Sequence, residues 1–197
     1  MTTYMGKKMD TPLAMALDFR PTGQRSAVSR PLSLDAVYRE HFNFVYRKAL
    51  RLGGPGLDAD DAAQEVFLVV ARKLDTYDGT SAVTTWLYGI LLNVIRRARR
   101  RAMMQRLFER GGPSDDDVVR EPDRVEVSEA RRIAYAILDK LSTKHREVFI
   151  LSEFEGLTCE EIGRIVDCRV ETVWSRLHYA RKEFASRLAK RGLGRVS

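Results

Sequence analysis

Apolar side chains recur at helical spacing along most of the chain, and runs of glycine, proline and acid interrupt them. From Leu34, the positions Val37, Phe42, Phe44, Val45, Ala49, Leu50 and Leu52 predict a first helix, stopped by Gly53, Gly54, Pro55 and Gly56. A second runs from about Asp58 to Leu74, with Ala62, Val66, Val69, Val70 and Lys73 on the core side and Asp61, Gln64, Glu65, Leu68 and Arg72 on another. A third begins near Ser81, carries Trp86, Leu87, Ile90, Leu91, Val94 and Ile95, and fades around Phe108. The segment Gly111–Arg124, GGPSDDDVVREPDR, joins helix breakers to an acidic run and reads as a flexible linker. Beyond it, Val127–Leu141 and Thr143–Phe154 each predict a helix. No strand pattern competes, so the expected fold is all-α.

The stretch Leu157–Lys182, LTCEEIGRIVDCRVETVWSRLHYARK, holds the sharpest local signal. Thr158 followed by Glu161 fits a capping box, in which hydroxyl and carboxylate satisfy backbone donors reciprocally at a helix start. Ile162, Ile165 and Val166 give that helix an apolar side, and Asp167, Cys168 and Arg169 break it. Val170, Val173, Leu177, Ala180 and Phe184 then restart an apolar stripe. At about 100° per residue, the opposite side carries Glu171, Trp174, Ser175, His178, Tyr179 and Lys182, flanked by Thr172, Arg176 and Arg181. Two short helices about a tight break are the layout of a helix-turn-helix, whose second helix meets base edges while flanking cations meet phosphates. An ordinary helical hairpin with surface aromatics has the same spacing.

Charge sharpens this picture. The 197 residues carry a formal net charge of +7, and Arg96, Arg97, Arg99, Arg100, Arg101 and Arg106 form one cluster, so a polyanionic partner is expected. No apolar run approaches the ~20 residues of a membrane span and no secretory leader is evident, so a cytoplasmic protein is expected. Cys159 and Cys168 lack both CxxC spacing and nearby histidines, so neither a disulfide framework nor a zinc site is indicated. The glycines at 53–56 lack the following Lys-Ser/Thr of a phosphate cradle.

Two motifs in order carry a family likeness. DADDAAQEVFLVVARKLDTYDGTSAVTTWLYGILLNVIRRARRR, Asp58–Arg101, resembles region 2 of bacterial sigma factors of the extracytoplasmic-function (ECF) group, and LSTKHREVFILSEFEGLTCEEIGRIVDCRVETVWSRLHYARK, Leu141–Lys182, resembles sigma region 4. The resemblance implies two small helical domains, at 31–108 and 126–192, joined by a flexible acidic linker over 109–125, while the mix of Gly, Pro, Ser, Thr and basic side chains over 1–30 predicts a mobile extension longer than a minimal member needs. It implies a promoter-specificity subunit without catalytic residues or cofactors. Its partners would be core RNA polymerase through the beta-prime clamp and beta subunits, promoter DNA and an anti-sigma protein, with no small-molecule substrate.

The resemblance also distributes roles. The DxxQE helix docks on the clamp coiled coil in that family, which points to Asp61, Gln64, Glu65 and Leu68. The segment Thr76–Ser81 corresponds to the loop that captures an unstacked base of the minus-ten element, here with Tyr77, Asp78 and Thr80. Tyr77 suits core packing equally, and Trp86 of the TWL signature suits either packing or the strand-separation edge. Asn93, Arg96, Arg97 and Arg100 would face minus-ten DNA. On the second helix of the helix-turn-helix, Glu171, Thr172, Trp174, Ser175, His178 and Tyr179 would meet the minus-thirty-five element, with Arg169, Arg176 and Arg181 near the backbone. Val83 and Leu91 depart from the family's usual residues and bear on local packing.

Two competing classes make different demands. An autonomous helix-turn-helix regulator usually needs a symmetric dimer, and no heptad repeat offers one. A magnesium-dependent nucleic-acid enzyme would use Asp58, Asp60 and Asp61, but acids at a helix start simply complement its dipole.

Overall fold

The computed structural model describes residues 32–110 and 128–192. The expected extension over 1–30 and nearly all of the expected linker lie outside the described residues. Seven α-helices occur among those described: α1 Leu34–Gly53, α2 Ala59–Lys73, α3 Val83–Arg110, α4 Glu129–Leu138, α5 Thr143–Phe149, α6 Cys159–Val166 and α7 Val170–Lys190. A single 3₁₀ turn, Leu74–Thr76, follows α2, and α5 runs on into a wider π-helical turn, Ile150–Phe154. Helix α3 therefore continues through Glu109 and Arg110, where the linker was expected to begin.

Helices α1, α2 and α3 pack together as one bundle, while α4, α5 and α6 gather on α7 as a second. Serine or aspartate starts several of them. The Ser33 hydroxyl accepts from Ala36 N at 3.2 Å, and Asp58 accepts from Asp60 N and Asp61 N at 2.9 and 3.0 Å. Side-chain caps of this kind typically contribute about 1 kcal/mol each. Asp58 is thus a cap, and no cluster of His, Cys, Asp or Glu suited to a metal occurs among the described residues. On α2 the buried face is Ala59, Ala62, Ala63, Val66, Phe67 and Val70. Lys73 is exposed, contrary to the expectation that placed it on the core side, because it is the last residue of α2 and its charged head stays in water. Leu91 is fully buried and Val83 packs against the core, so both departures from the family pattern are absorbed by packing.

The helix-turn-helix forms as its residues dictate. Thr158 Oγ1 accepts from Glu161 N at 3.2 Å, and Glu161 Oε2 accepts from Thr158 N at 2.9 Å, completing the capping box. Asp167 ends α6 in the left-handed region at φ 51°, a conformation that aspartate tolerates better than most residues. Gly163 is required here. A methyl group at that position would lie 2.9 Å from the Cys168 carbonyl oxygen, so only glycine lets the turn fold back so closely. Cys159 is buried and Cys168 half-buried, and neither is bonded to another cysteine. Burial, reinforced by the Glu160 charge, pushes the Cys159 thiol above its ordinary pKa. Brief alkylation of the native protein at pH 8 is therefore expected to label Cys168 first. Mass spectrometry showing equal modification of Cys159 before denaturation would contradict that burial.

Candidate polymerase and nucleic-acid interfaces

Helix α2 turns its polar side to solvent. Asp61, Gln64 and Leu68 are exposed, and Glu65 is half-buried with Oε1 3.6 Å from Arg101 Nη2 on α3. Leu68 is 58% exposed on a helix whose other large apolar residues pack into the core. Tyr38 of α1 lies beside this row, its ring 4.8 Å from that of Phe67. Acid, amide and apolar groups thus share one open surface, which suits a protein partner better than a phosphate backbone.

The loop between α2 and α3 is held by its own side chains. Asp78 Oδ1 accepts from Thr80 N at 3.0 Å and from Thr80 Oγ1 at 2.8 Å, and these bonds hold its carboxyl below the ordinary carboxylate range. Tyr77 donates its hydroxyl hydrogen to the Ser81 carbonyl, and its ring centroid lies 5.0 Å from that of Trp86. Burial raises the pKa of its phenol. Both rings are half-buried, so the two readings of Tyr77 and Trp86 meet in one aromatic step at the start of α3, part core and part surface. Further along α3, Asn93, Arg97 and Arg100 are exposed.

Arg96 is engaged. Its Nε and Nη2 donate to the two carboxylate oxygens of Glu147 on α5 at 2.6 and 2.7 Å, while Nη1 donates to Asn93 Oδ1 at 3.1 Å. The Glu147 bond raises the already high pKa of the guanidinium.

The solvent side of α7 matches the sequence expectation. Glu171, Trp174, Ser175, His178 and Tyr179 are exposed, Thr172 and Arg176 are half-buried, and Arg169 at the helix start is exposed. Trp174 is 44% exposed, a large value for an indole, whose apolar bulk is usually packed away. Arg176 reaches Cys168 Sγ at 3.5 Å. Arg181 donates twice to Glu153 Oε1, at 2.8 and 2.6 Å, which ties α7 to the π-helical turn rather than leaving the guanidinium free.

Between the bundles lies a seam that periodicity did not forecast. Helix α3 packs on α6, and α1 meets the π-helical turn. The last carbonyls of α1 lack partners within their own helix, and the second bundle supplies donors. Tyr135 OH donates to Arg51 O at 2.7 Å, and Arg146 donates to Leu52 O and, at 3.2 Å, to Gly53 O. Gly54 comes next at φ 77°, and a methyl group there would fall 2.6 Å from the Tyr135 ring, so both its backbone and its neighbour demand glycine. Burial, and then the nearby Arg99 charge, push Arg146 down to about 10, which leaves it cationic. Glu155 enters a pocket of the first bundle where Lys48, Arg51 and the Tyr88 hydroxyl meet its Oε2. Burial lowers the pKa of Lys48 and the carboxylate opposes that effect. Lys48 did carry a sequence signal, because it falls three residues after Val45 and four before Leu52, on the apolar stripe.

Comparison with known proteins agrees with this architecture. The family described as Sigma-70 region 2 matches residues 37–104, and that described as Sigma-70, region 4 matches residues 131–184. The ECF RNA polymerase sigma factor SigE of Mycolicibacterium smegmatis is 34% identical over 189 residues, covering 92% of this chain and 70% of that protein. The ECF RNA polymerase sigma-E factor of Escherichia coli (strain K12) is 35% identical over 140 residues, covering 65% and 72%. Two solved structures share the fold. CnrH, in complex with the cytosolic domain of CnrY, superposes with a TM-score of 0.55 at 24% identity, over 80% of this chain and 88% of that one. The sigma factor RpoE of Bartonella quintana, in complex with the anti-sigma factor NepR, gives 0.60 at 22% identity, over 79% and 96%. On two matched regions in the family's order and two relatives above 30% identity, the chain belongs to the ECF RNA polymerase sigma factors of the sigma-70 family.

Proposed function

We propose that this sigma factor gives three surfaces to its partners. Asp61, Gln64, Glu65 and Leu68 on α2 meet the clamp coiled coil of core polymerase. The Tyr77–Asp78–Thr80 loop, the edge at Trp86, and Asn93, Arg96, Arg97 and Arg100 on α3 meet the minus-ten element. The exposed row of α7, with Arg169, Thr172, Arg176 and Arg181 beside it, meets the minus-thirty-five element. The modules over 31–108 and 126–192 act as the polymerase-bound and upstream-reading units. The protein works in the cytoplasm, contributes no catalytic group of its own, and is held in check by an anti-sigma protein. No described helix is long and apolar enough to cross a membrane.

The observation that carries this reading is that the α2 row and the α7 row are both open to solvent while the opposite face of each helix is core. A pool of randomised promoters transcribed with purified core polymerase tests it. Promoters recovered with the wild-type protein are expected to share a downstream and an upstream element. Trp174→Ala with His178→Ala is expected to change the preferred bases of the upstream element alone, by about 1–3 kcal/mol of discrimination at each affected position. Identical upstream preferences for both proteins would remove α7's exposed row as the reader.

A further inference from the structure

We propose that His145, on α5, is a positioning residue for upstream promoter reading: its imidazole stacks behind the Tyr179 ring and holds that ring ready for a base edge. The inference rests on the assignment of α7's exposed row to the minus-thirty-five element and adds to that row a residue from a different helix.

Helix α5 is seated on α7 along a covered register. The Phe149 and Phe184 rings, both buried, lie 4.7 Å apart at 25°. One turn before Phe149, His145 emerges at the rim of the same contact, its side chain 29% exposed. The buried stack therefore fixes where the imidazole stands relative to α7.

Tyr179 lies beside it. The ring is 56% exposed, yet it is flanked on two sides. His145 runs nearly parallel to it, at 18° with centroids 6.4 Å apart, and His178 meets it edge-on at 78° and 5.4 Å. Both separations fall in the range where aromatic rings attract. A solvated tyrosine ordinarily samples several side-chain rotamers, and ordering it on binding lowers affinity. His178 is the chain neighbour of Tyr179 and belongs to the same helix, so it cannot anchor the ring against the rest of the module. His145 comes from another helix and can.

The imidazole is itself held. Its Nδ1 is 3.8 Å from Glu183 Oε2, and Glu183 Oε1 accepts from Arg187 Nε and Nη2 at 3.1 and 2.8 Å. Glu183 lies one turn beyond Tyr179, so a single side chain of α5 meets two successive turns of α7. Nδ1 is covered and has no hydrogen-bond partner among the described residues. A ring that only filled space would carry no nitrogen there, because a covered polar atom without a partner costs stability. The carboxylate draws the nitrogen edge of the ring towards α7 and leaves its flat face to Tyr179.

Full-length variants are transcribed with purified core polymerase from a promoter recovered from the randomised pool, and from a set carrying every single base-pair change in its upstream element. Tyr179→Ala is expected to flatten discrimination at the base pairs that Tyr179 faces. His145→Ala is expected to flatten it at the same pairs by about two- to tenfold, the worth of ordering one side chain, and to leave the other pairs unaffected. In the Tyr179→Ala background the same change is expected to add nothing, since it acts through that ring. His145→Phe keeps a flat ring and is expected to restore most of the discrimination, whereas His145→Gln keeps a polar group without a ring and is not. A residue that merely supported the fold would weaken all pairs together. Unchanged discrimination in His145→Ala, an equal loss in both backgrounds, or a glutamine variant that reads as well as the phenylalanine one would overturn the positioning role and leave reading by α7 intact. Unchanged discrimination in Tyr179→Ala would overturn the assignment of Tyr179 itself, and this inference with it. Should His145→Ala lower the urea midpoint, the contrast between His145→Phe and His145→Gln decides, because both fill the space.

Discussion

Asp61→Arg combined with Leu68→Asp is expected to detach the factor from core polymerase while leaving it folded. Both side chains are exposed on α2, and Leu68 is the large apolar group of that open row. A central interface residue that contributes 2 kcal/mol or more corresponds to about 30-fold in affinity, so losing two is expected to take binding below detection in a pull-down. The cost to the fold is far smaller. A cation in the first turn of α2 opposes the helix dipole by about 0.3–1 kcal/mol, and aspartate in place of leucine on an exposed helix face costs about 0.5 kcal/mol. Domains are usually stable by about 5–15 kcal/mol, so helicity by circular dichroism should hold. Glu65 is left in place because its contact with Arg101 ties α2 to α3, and its removal would mix packing with docking. Co-purification of the variant with polymerase at wild-type yield would end the assignment of this face.

Leu177→Ala is expected to have the largest effect on stability. Leu177 is almost wholly buried on the stripe Val173, Leu177, Ala180 and Phe184 that seats α7 on the rest of the second module. Deleting a buried leucine side chain costs about 2–5 kcal/mol through lost transfer and the cavity left behind. For a module of this size that approaches the whole margin. Urea unfolding should show an early transition in which the second module melts, with upstream promoter recognition lost at all bases together. Trp174→Ala differs in kind, because the indole is exposed and its removal should change base preference at unchanged midpoint. A Leu177→Ala midpoint equal to the wild type would mean that α7 is held by something other than its apolar stripe.

The helices were legible because local chemistry and burial agree. Thr158 and Glu161 form the capping box that their spacing announces, and the stripe from Val173 to Phe184 is the buried face of α7. The exposed rows came directly from the same pattern, since a helix with one apolar face leaves its opposite face wet. Two kinds of feature escaped. Lys73 reads as part of a periodic stripe but ends in water, because spacing takes no account of where a helix runs out of neighbours. The seam escaped for a different reason. Arg146, Glu147 and Glu155 look in sequence like ordinary polar positions of a surface helix, and only the approach of a second module buries them. Pairings such as Arg96 with Glu147, fifty-one residues apart, leave no trace in local pattern.

The π-helical turn over Ile150–Phe154 has a consequence for how tolerant the chain is to change in length. An ordinary helix advances by about 100° per residue, so a turn relaxed to that pitch with all its residues kept would swing Glu155 by about a quarter of a revolution about the helix axis, whereas loss of Ser152 would only absorb the extra residue of the wider turn. In the relaxed turn of unchanged length that carboxylate would leave its three partners, while every amino acid that contributes to the contact remained in place. Aim, rather than composition, is what that stretch of backbone supplies. A one-residue insertion beside this turn would therefore be felt more sharply than a one-residue deletion within it, which the wider turn can absorb.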